Sequence, residues 1–142
     1  MKRLQSEQTA LDAIEEIKGR DIEVFDTSPI TSLFDRMIIV SAGSNVHARA
    51  IAKNVFNKLR VDNGSEVKME GASVGEWVLI DSGETIVHIM QPAIREYYRL
   101  EEIWGQYPID YSAKPTPTNR LTKTGAIKNA EKPTTRRKKN VE

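Results

Sequence analysis

The uninterrupted apolar run from Met37 to Val40 restricts the possible folds of this chain more than any other feature of its sequence. A strand that faces water on one side alternates polar and apolar residues, whereas a run of this kind is typical of a strand covered on both faces. The sequence therefore predicts a sheet with other structure packed against each of its sides.

A long helix follows this run almost at once. Ser44 is a residue type that caps helix N-termini, and Gly64 suits the left-handed position just after a helix. Five apolar residues recur between them at helical spacing: Ala48, Ala52, Val55, Phe56 and Leu59. A strand over Glu66–Met69 then completes a βαβ-like unit, whose crossover we expect to be right-handed.

The remaining elements follow from the same patterns. Apolar spacing predicts helices over residues 7–18, with Gly19 as the stop, and over residues 93–104, with Pro92 in the first turn. It also predicts strands over residues 21–26, 77–80 and 85–90, the last two joined by a tight turn. We therefore predict one α/β domain with a mixed sheet flanked by helices.

The composition changes after Tyr111. Nine basic and two acidic residues give residues 112–142 a net charge of +7, while 12 basic and 18 acidic residues give residues 1–111 a charge of −6. Few apolar residues follow Tyr111, so we predict a folded domain over residues 1–111 and a disordered basic tail over residues 112–142. The tail is either a solvated extension or a phosphate-contacting segment through Arg136, Arg137, Lys138 and Lys139.

Composition also excludes several classes of site. The chain has no cysteine, which rules out disulfides and thiolate zinc sites. The start shows no signal-peptide pattern and no stretch is apolar enough to cross a membrane. We therefore expect a cytoplasmic protein without a membrane partner, or one of an organelle's stroma or matrix if a transit peptide has been left out. His47 and His88 lack partners at metal-ligand spacing, and we expect neither metal nor cofactor.

The two strands over residues 77–90 indicate a binding surface. With Ser82-Gly83 as the loop, Trp77 would pair with His88, and the side chains would alternate between two faces. One face would carry Val78, Ile80, Val87 and Ile89, and the other Trp77, Leu79, Ile86, His88 and Met90. The second set is rich in residue types found at interfaces. It forms either a partner-binding face or the floor beneath a covering helix, and a slip of one residue would exchange the faces.

The alternative hypothesis is an enzyme that catalyses nucleotidyl transfer. Gly43-Ser44 could cradle a phosphate at a helix N-terminus, and Asp21 and Glu23 have the spacing of a magnesium-binding pair. The acids of that reaction, however, come after such a glycine–serine pair, whereas here they precede it. We therefore expect no catalytic residue.

Several segments taken together resemble the Iojap-like ribosomal silencing factors. The resemblance rests on Asp26, Ser32, Asp35, Gly43-Ser44, residues 50–52, Glu70-Gly71, residues 77–81, Gly83, residues 87–89, Arg95, Tyr97-Tyr98, Leu100-Glu101 and Trp104. The chain departs from the family pattern at Arg36, where an aromatic residue is common, at Ser82, where Tyr or Phe is common, and at Met90, where Phe is common.

The resemblance implies a nucleotidyltransferase-like fold that lacks the catalytic acids. It also implies a repressor of translation that binds the large ribosomal subunit through ribosomal protein L-fourteen, blocks association with the small subunit and acts when nutrients are scarce. Homodimers occur in that family. The candidate partner-binding residues are Trp77, Leu79, Asp81, Ile86, His88, Met90, Tyr98, Leu100 and Glu101.

Overall fold

The computed structural model describes residues 3–63 and 66–111. The helices are α1 (Gln5–Glu16), α2 (Asn45–Asn63), α3 (Pro92–Tyr98) and α4 (Leu100–Trp104). The strands are β1 (Arg20–Asp26), β2 (Arg36–Ser41), β3 (Lys68–Glu70), β4 (Trp77–Asp81), β5 (Thr85–Met90) and β6 (Pro108–Ile109). None of the helices within these residues is long and apolar enough to cross a membrane. The predictions for Gly64 and for residues 112–142 lie outside the described residues.

All six strands form one mixed sheet in the order β3-β4-β5-β2-β1-β6. β2 and β5 pair in parallel at its centre, and every other neighbouring pair is antiparallel. β3 therefore runs in the same direction as β2, and α2 connects them across the sheet, as the βαβ-like prediction required. The single α/β domain with a mixed sheet is confirmed.

The sheet is covered on both sides, as the apolar run of β2 predicted. All six residues of β2 are buried. The long helices α1 and α2 cover one face, where the main core is formed by residues such as Leu11, Ile51 and Ile80. On the other face, Phe25, Met37, Ile39 and Met90 form a smaller cluster against which Phe34, Ile94, Leu100 and Trp104 pack. Because α3 and α4 are short, they cover only part of this second face.

The observed helix ends confirm some of the starts and stops predicted from the sequence and correct others. Ser44 caps α2 as predicted, since its hydroxyl accepts a hydrogen bond from the His47 amide at 3.0 Å. Pro92 begins α3 as predicted. The single helix predicted over residues 93–104 is wrong, because Arg99 adopts a left-handed conformation (φ 50°) and divides it into α3 and α4. The strand β6 was not predicted, because its pairing covers only two residues.

A buried ion-pair group fastens α1 to the sheet. Arg36 donates to the Glu7 carboxylate at 3.0 Å and to the Asp26 carboxylate at 2.9 Å, and all three side chains are nearly inaccessible. Such a group depends on each member, because a charge left alone in the interior is costly. The charge of Arg36 is thus compensated within the fold by two acids.

Candidate functional site

The β4–β5 hairpin has a register two residues away from the predicted one. Trp77 pairs with Met90, and Asp81 pairs with Ile86. The loop residues are Gly83 and Glu84, not Ser82 and Gly83. Gly83 has φ +93°, so the glycine takes the first of the two loop positions. The predicted pairing of Trp77 with His88 is therefore wrong, but a shift of two residues leaves every side chain on its predicted face.

The face predicted to be core is core. Val78, Ile80, Val87 and Ile89 are all fully buried beneath the long helices. Between the strand ends, the opposite face is therefore the side of the hairpin that can contact another molecule.

The opposite face is partly buried, and its candidate residues differ in how much of their surface is accessible. Met90 is fully buried and packs in the smaller cluster with Phe25, Met37 and Ile39, so it cannot contact a partner directly. Ile86 keeps 8% of its surface exposed. Leu100 is half-buried against the same cluster. The covering-helix interpretation therefore holds for the end of the hairpin near Met90.

Four aromatic side chains line the part of this face that remains open. The rings of Tyr97 and Tyr98 lie 4.9 Å apart between centroids, those of Tyr98 and Trp77 4.8 Å, and those of Trp77 and His88 5.8 Å. Tyr97 is 78% exposed and Tyr98 48% exposed, while Trp77 is half-buried and His88 is buried. We call these four residues the aromatic cluster. In the order Tyr97, Tyr98, Trp77 and His88, the rings become steadily more buried from solvent towards the sheet. The sequence analysis did not include Tyr97 among the candidate residues.

A hydrogen bond fixes the inner end of the aromatic cluster. The Trp77 indole N–H donates to His88 Nδ1 at 2.9 Å. Burial lowers the pKa of His88 to about 4, so the imidazole is neutral at physiological pH. Since Nδ1 accepts, the neutral ring carries its proton on Nε2. The pair therefore holds the indole in one orientation and leaves one imidazole donor available.

The polar candidates differ in their surroundings. Asp81 is half-buried and pairs across the strands with Lys68 of β3, while Leu79 pairs with Glu70. Glu101 is held elsewhere, since its carboxylate accepts from Arg95 Nε at 3.0 Å. Glu70 belongs to the edge of the open face, and its cross-strand position next to Leu79 could not be known without the register.

The location proposed for nucleotidyl transfer is occupied by the protein's own contacts. Arg95 is buried there and donates to the Asp21 carbonyl, the Ser41 hydroxyl and the Glu23 carboxylate, at 2.7, 2.8 and 3.0 Å. Burial raises the pKa of Glu23, although the charge of Arg95 acts against that shift. Of the two acids that could hold magnesium, Glu23 thus forms an ion pair with Arg95, and Asp21 contributes its main-chain carbonyl to the same arginine.

The glycine–serine segment is also engaged. The Gly43 amide donates to His47 Nδ1 at 2.9 Å, and the His47 ring contacts the Ile17 carbonyl through Nε2 at 2.7 Å. Two amides of this helix N-terminus, those of Gly43 and His47, are therefore engaged by the His47 ring and the Ser44 hydroxyl, and His47 has a local structural role. Across the described ranges, no group of three or more His, Asp or Glu residues has an arrangement that could hold a metal ion.

Comparisons with known proteins agree on one family. The family model described as "Ribosomal silencing factor during starvation" matches residues 2–142. A ribosomal silencing factor from Chromobacterium violaceum is 48% identical over 96 residues, which are 68% of this chain and 79% of that protein. A Mus musculus protein named mitochondrial assembly of ribosomal large subunit protein 1 is 32% identical over 89 residues, which are 61% of this chain and 39% of that protein. A crystal structure of a protein from Chromobacterium violaceum has a TM-score of 0.70 at 41% identity and covers 80% of this chain and 95% of that one.

Proposed function

Because this chain belongs to the family of ribosomal silencing factors, we propose that it binds the large ribosomal subunit and sterically blocks association with the small subunit. Translation would be repressed in this way when nutrients are limiting. The partner on the subunit is ribosomal protein L-fourteen, as the family resemblance implies. The name of the mouse relative, which refers to the large subunit, supports the choice of subunit.

The aromatic cluster is the observation that carries this proposal. Trp and Tyr are the residues in which binding energy is most often concentrated at protein interfaces, especially when they surround a half-buried centre. Here Trp77 lies between the exposed Tyr98 and the buried His88, on sheet surface that α3 and α4 leave open. Such a cluster is preorganised, so little side-chain freedom is lost when a partner docks on it.

The charge distribution supports a protein partner for the domain. Residues 1–111 carry a net charge of −6, which favours encounter with a basic ribosomal protein and opposes contact with RNA phosphates. The basic residues of 112–142 could then contact ribosomal RNA beside the docked domain and raise the overall affinity.

We also infer that the protein is not an enzyme. The Arg95 contacts and the engaged amides of Gly43 and His47 support this inference. Magnesium and a nucleoside triphosphate should leave the melting temperature unchanged, since a ligand that binds only the folded state raises it. A clear rise would favour the nucleotidyltransferase alternative.

A second copy of the chain is another partner that the family resemblance implies. A homodimer formed through the aromatic cluster would compete with the ribosome for it. Its size in solution would depend on concentration, and alanine at Tyr98 would shift it to the monomer. We place the complex in the cytoplasm.

The test is co-sedimentation of the full chain with purified large and small subunits. Trp77→Ala should cost about 2 kcal/mol or more of binding free energy, and Tyr98→Ala about 1 kcal/mol or more. Tyr107→Ala is the matched control, since Tyr107 is 47% exposed and Tyr98 is 48% exposed. We expect the wild type to sediment with the large subunit and not with the small one. Trp77→Ala and Tyr98→Ala should weaken this binding, and Tyr107→Ala should leave it unchanged. No binding of the folded wild type to either subunit would refute the proposal.

A further inference from the structure

A shallow cavity adjoins the aromatic cluster at the edge of the sheet. It has a volume of about 250 Å³ and is lined by Glu70, Gly71, Trp77, Leu79 and His88. Glu70, Leu79 and His88 are successive cross-strand neighbours on β3, β4 and β5, so they form one row across the sheet. Gly71 allows the chain to pass close to β4 at this edge, because it adopts φ +88° and a Cβ there would collide with the Trp77 carbonyl.

The two ends of this row carry different polar groups. His88 Nε2 bears the proton and makes no hydrogen bond with the residues that the structure describes. At the other end, Glu70 is exposed and forms no ion pair or hydrogen bond with any residue in the described ranges. Lys68 lies two residues before Glu70 on the same face of β3, where its cross-strand neighbour is Asp81. The cavity thus has an apolar floor between a hydrogen-bond donor and a carboxylate that forms no ion pair within the described ranges.

We propose that this cavity binds one basic side chain, an arginine or a lysine, of the ribosomal protein on which the domain docks. The alkyl stem lies along Leu79, and the cationic end lies between the Glu70 carboxylate and the Trp77 ring. A main-chain carbonyl of the same partner segment accepts the hydrogen bond from His88 Nε2. This inference rests on the proposed function and specifies which kind of side chain of the ribosomal protein the cavity would bind.

Charge distinguishes a basic side chain from the other occupants. An apolar side chain would fill the floor but would bring an unpaired carboxylate towards a dry interface, which costs binding energy. An acidic side chain could accept from His88 but would be repelled by Glu70. A cation, in contrast, is attracted by the carboxylate and by the indole π-face together, and both attractions strengthen as water leaves.

Charge substitutions at Glu70 test the inference, because this exposed side chain makes no hydrogen bond or ion pair within the described ranges that the substitution would break. Glu70→Gln should weaken binding of the full chain to the large subunit about tenfold, since a charge-assisted contact is lost. Glu70→Lys should weaken it further through repulsion. Asp110→Asn removes the same charge beside β6, at the opposite edge of the sheet, and should change binding less than about twofold. The binding constants are measured by sedimentation at several salt concentrations.

The outcomes separate this inference from the proposed function. A large loss at Glu70 with little loss at Asp110 supports a basic side chain in the cavity. Wild-type binding that Glu70→Gln leaves unchanged, or weakens no more than Asp110→Asn does, overturns the inference while the proposed function stands. Tighter binding of Glu70→Gln also overturns it and would indicate an apolar occupant. If the wild type does not bind the large subunit, the proposed function itself fails.

Discussion

At the scale of single residues, His88 shows how burial defines a role that sequence alone leaves open. The sequence placed it on the partner face beside Trp77, and the structure keeps it on that face but buries it. A buried imidazole is neutral, and a neutral imidazole can accept one hydrogen bond and donate another. His88 therefore orients Trp77 through Nδ1 and keeps its Nε2–H as a donor, whereas an imidazolium could not accept the Trp77 hydrogen bond.

This state of His88 predicts a specific loss of stability in acid. In the unfolded chain its pKa is near 6.5, and in the folded protein about 4, so the unfolded state takes up the proton first as pH falls. The contribution of His88 to the free energy of unfolding is therefore complete above pH 6.5 and declines as the pH falls from 6.5 to 4. Between pH 7 and pH 5 it should fall by about 2 kcal/mol.

The measurement compares urea unfolding of the wild type and of His88→Gln at both pH values. Gln can still accept from the Trp77 indole but does not titrate. On going from pH 7 to pH 5, the wild type should therefore lose about 2 kcal/mol more unfolding free energy than the variant does. A difference that is the same at both pH values would show that His88 does not titrate in this way. Other acid-sensitive groups cancel because both proteins contain them.

At the scale of elements, residues other than glycine in left-handed conformations account for much of what the sequence could not predict. Lys18, Asp21 and Arg99 have φ values of 62°, 52° and 50°. Glycine is the residue normally expected there, so the sequence pointed to Gly19 as the helix stop and gave no sign of a break at residue 99. Apolar periodicity still identified β2, α2, β4 and β5, because their buried faces impose it.

The β4–β5 hairpin likewise has one feature that the sequence predicts and one that it does not. Alternation of side chains fixed which residues share a face, and that part of the candidate site was predictable. The choice between loops Ser82-Gly83 and Gly83-Glu84 depended on turn geometry, and both choices place the same residues inward. The burial of Met90 was not predictable, because it results from how α3, α4 and the sequence-distant Phe34 fold back onto the sheet.

The break at Arg99 predicts opposite effects of glycine at two nearby positions. Arg99→Gly should raise the melting temperature by about 3 °C, because glycine adopts the left-handed conformation without a steric cost. Glu96→Gly, within α3, should lower it by about 4 °C, since glycine there only adds chain entropy to the unfolded state. Thermal denaturation followed by circular dichroism measures both. Equal destabilisation by the two substitutions would mean that Arg99 is not held in the left-handed region in solution.

At the scale of the whole molecule, charge is divided between a domain at −6 and a C-terminal segment at +7. If the domain docks on a basic protein, its contacts depend only modestly on salt, whereas contacts of lysine and arginine with RNA phosphates release counterions. The salt dependence of binding therefore reports on the C-terminal segment separately from the aromatic cluster. The whole-molecule charge pattern was fully readable from the sequence, but its ribosomal meaning came from the family.

Replacing Arg136, Arg137, Lys138 and Lys139 by glutamine tests this division. If all four contact phosphates, the slope of log affinity for the large subunit against log salt should become shallower by about 3, because each contact contributes roughly 0.7–0.9. The matched control replaces Lys114, Arg120, Lys123 and Lys128, which changes net charge equally but spares the cluster. A smaller effect of the control would assign the RNA contact to the clustered residues. Equal effects would instead assign it to net charge, and an unchanged slope in both would remove residues 112–142 from the binding mechanism and leave the domain to silence the ribosome alone.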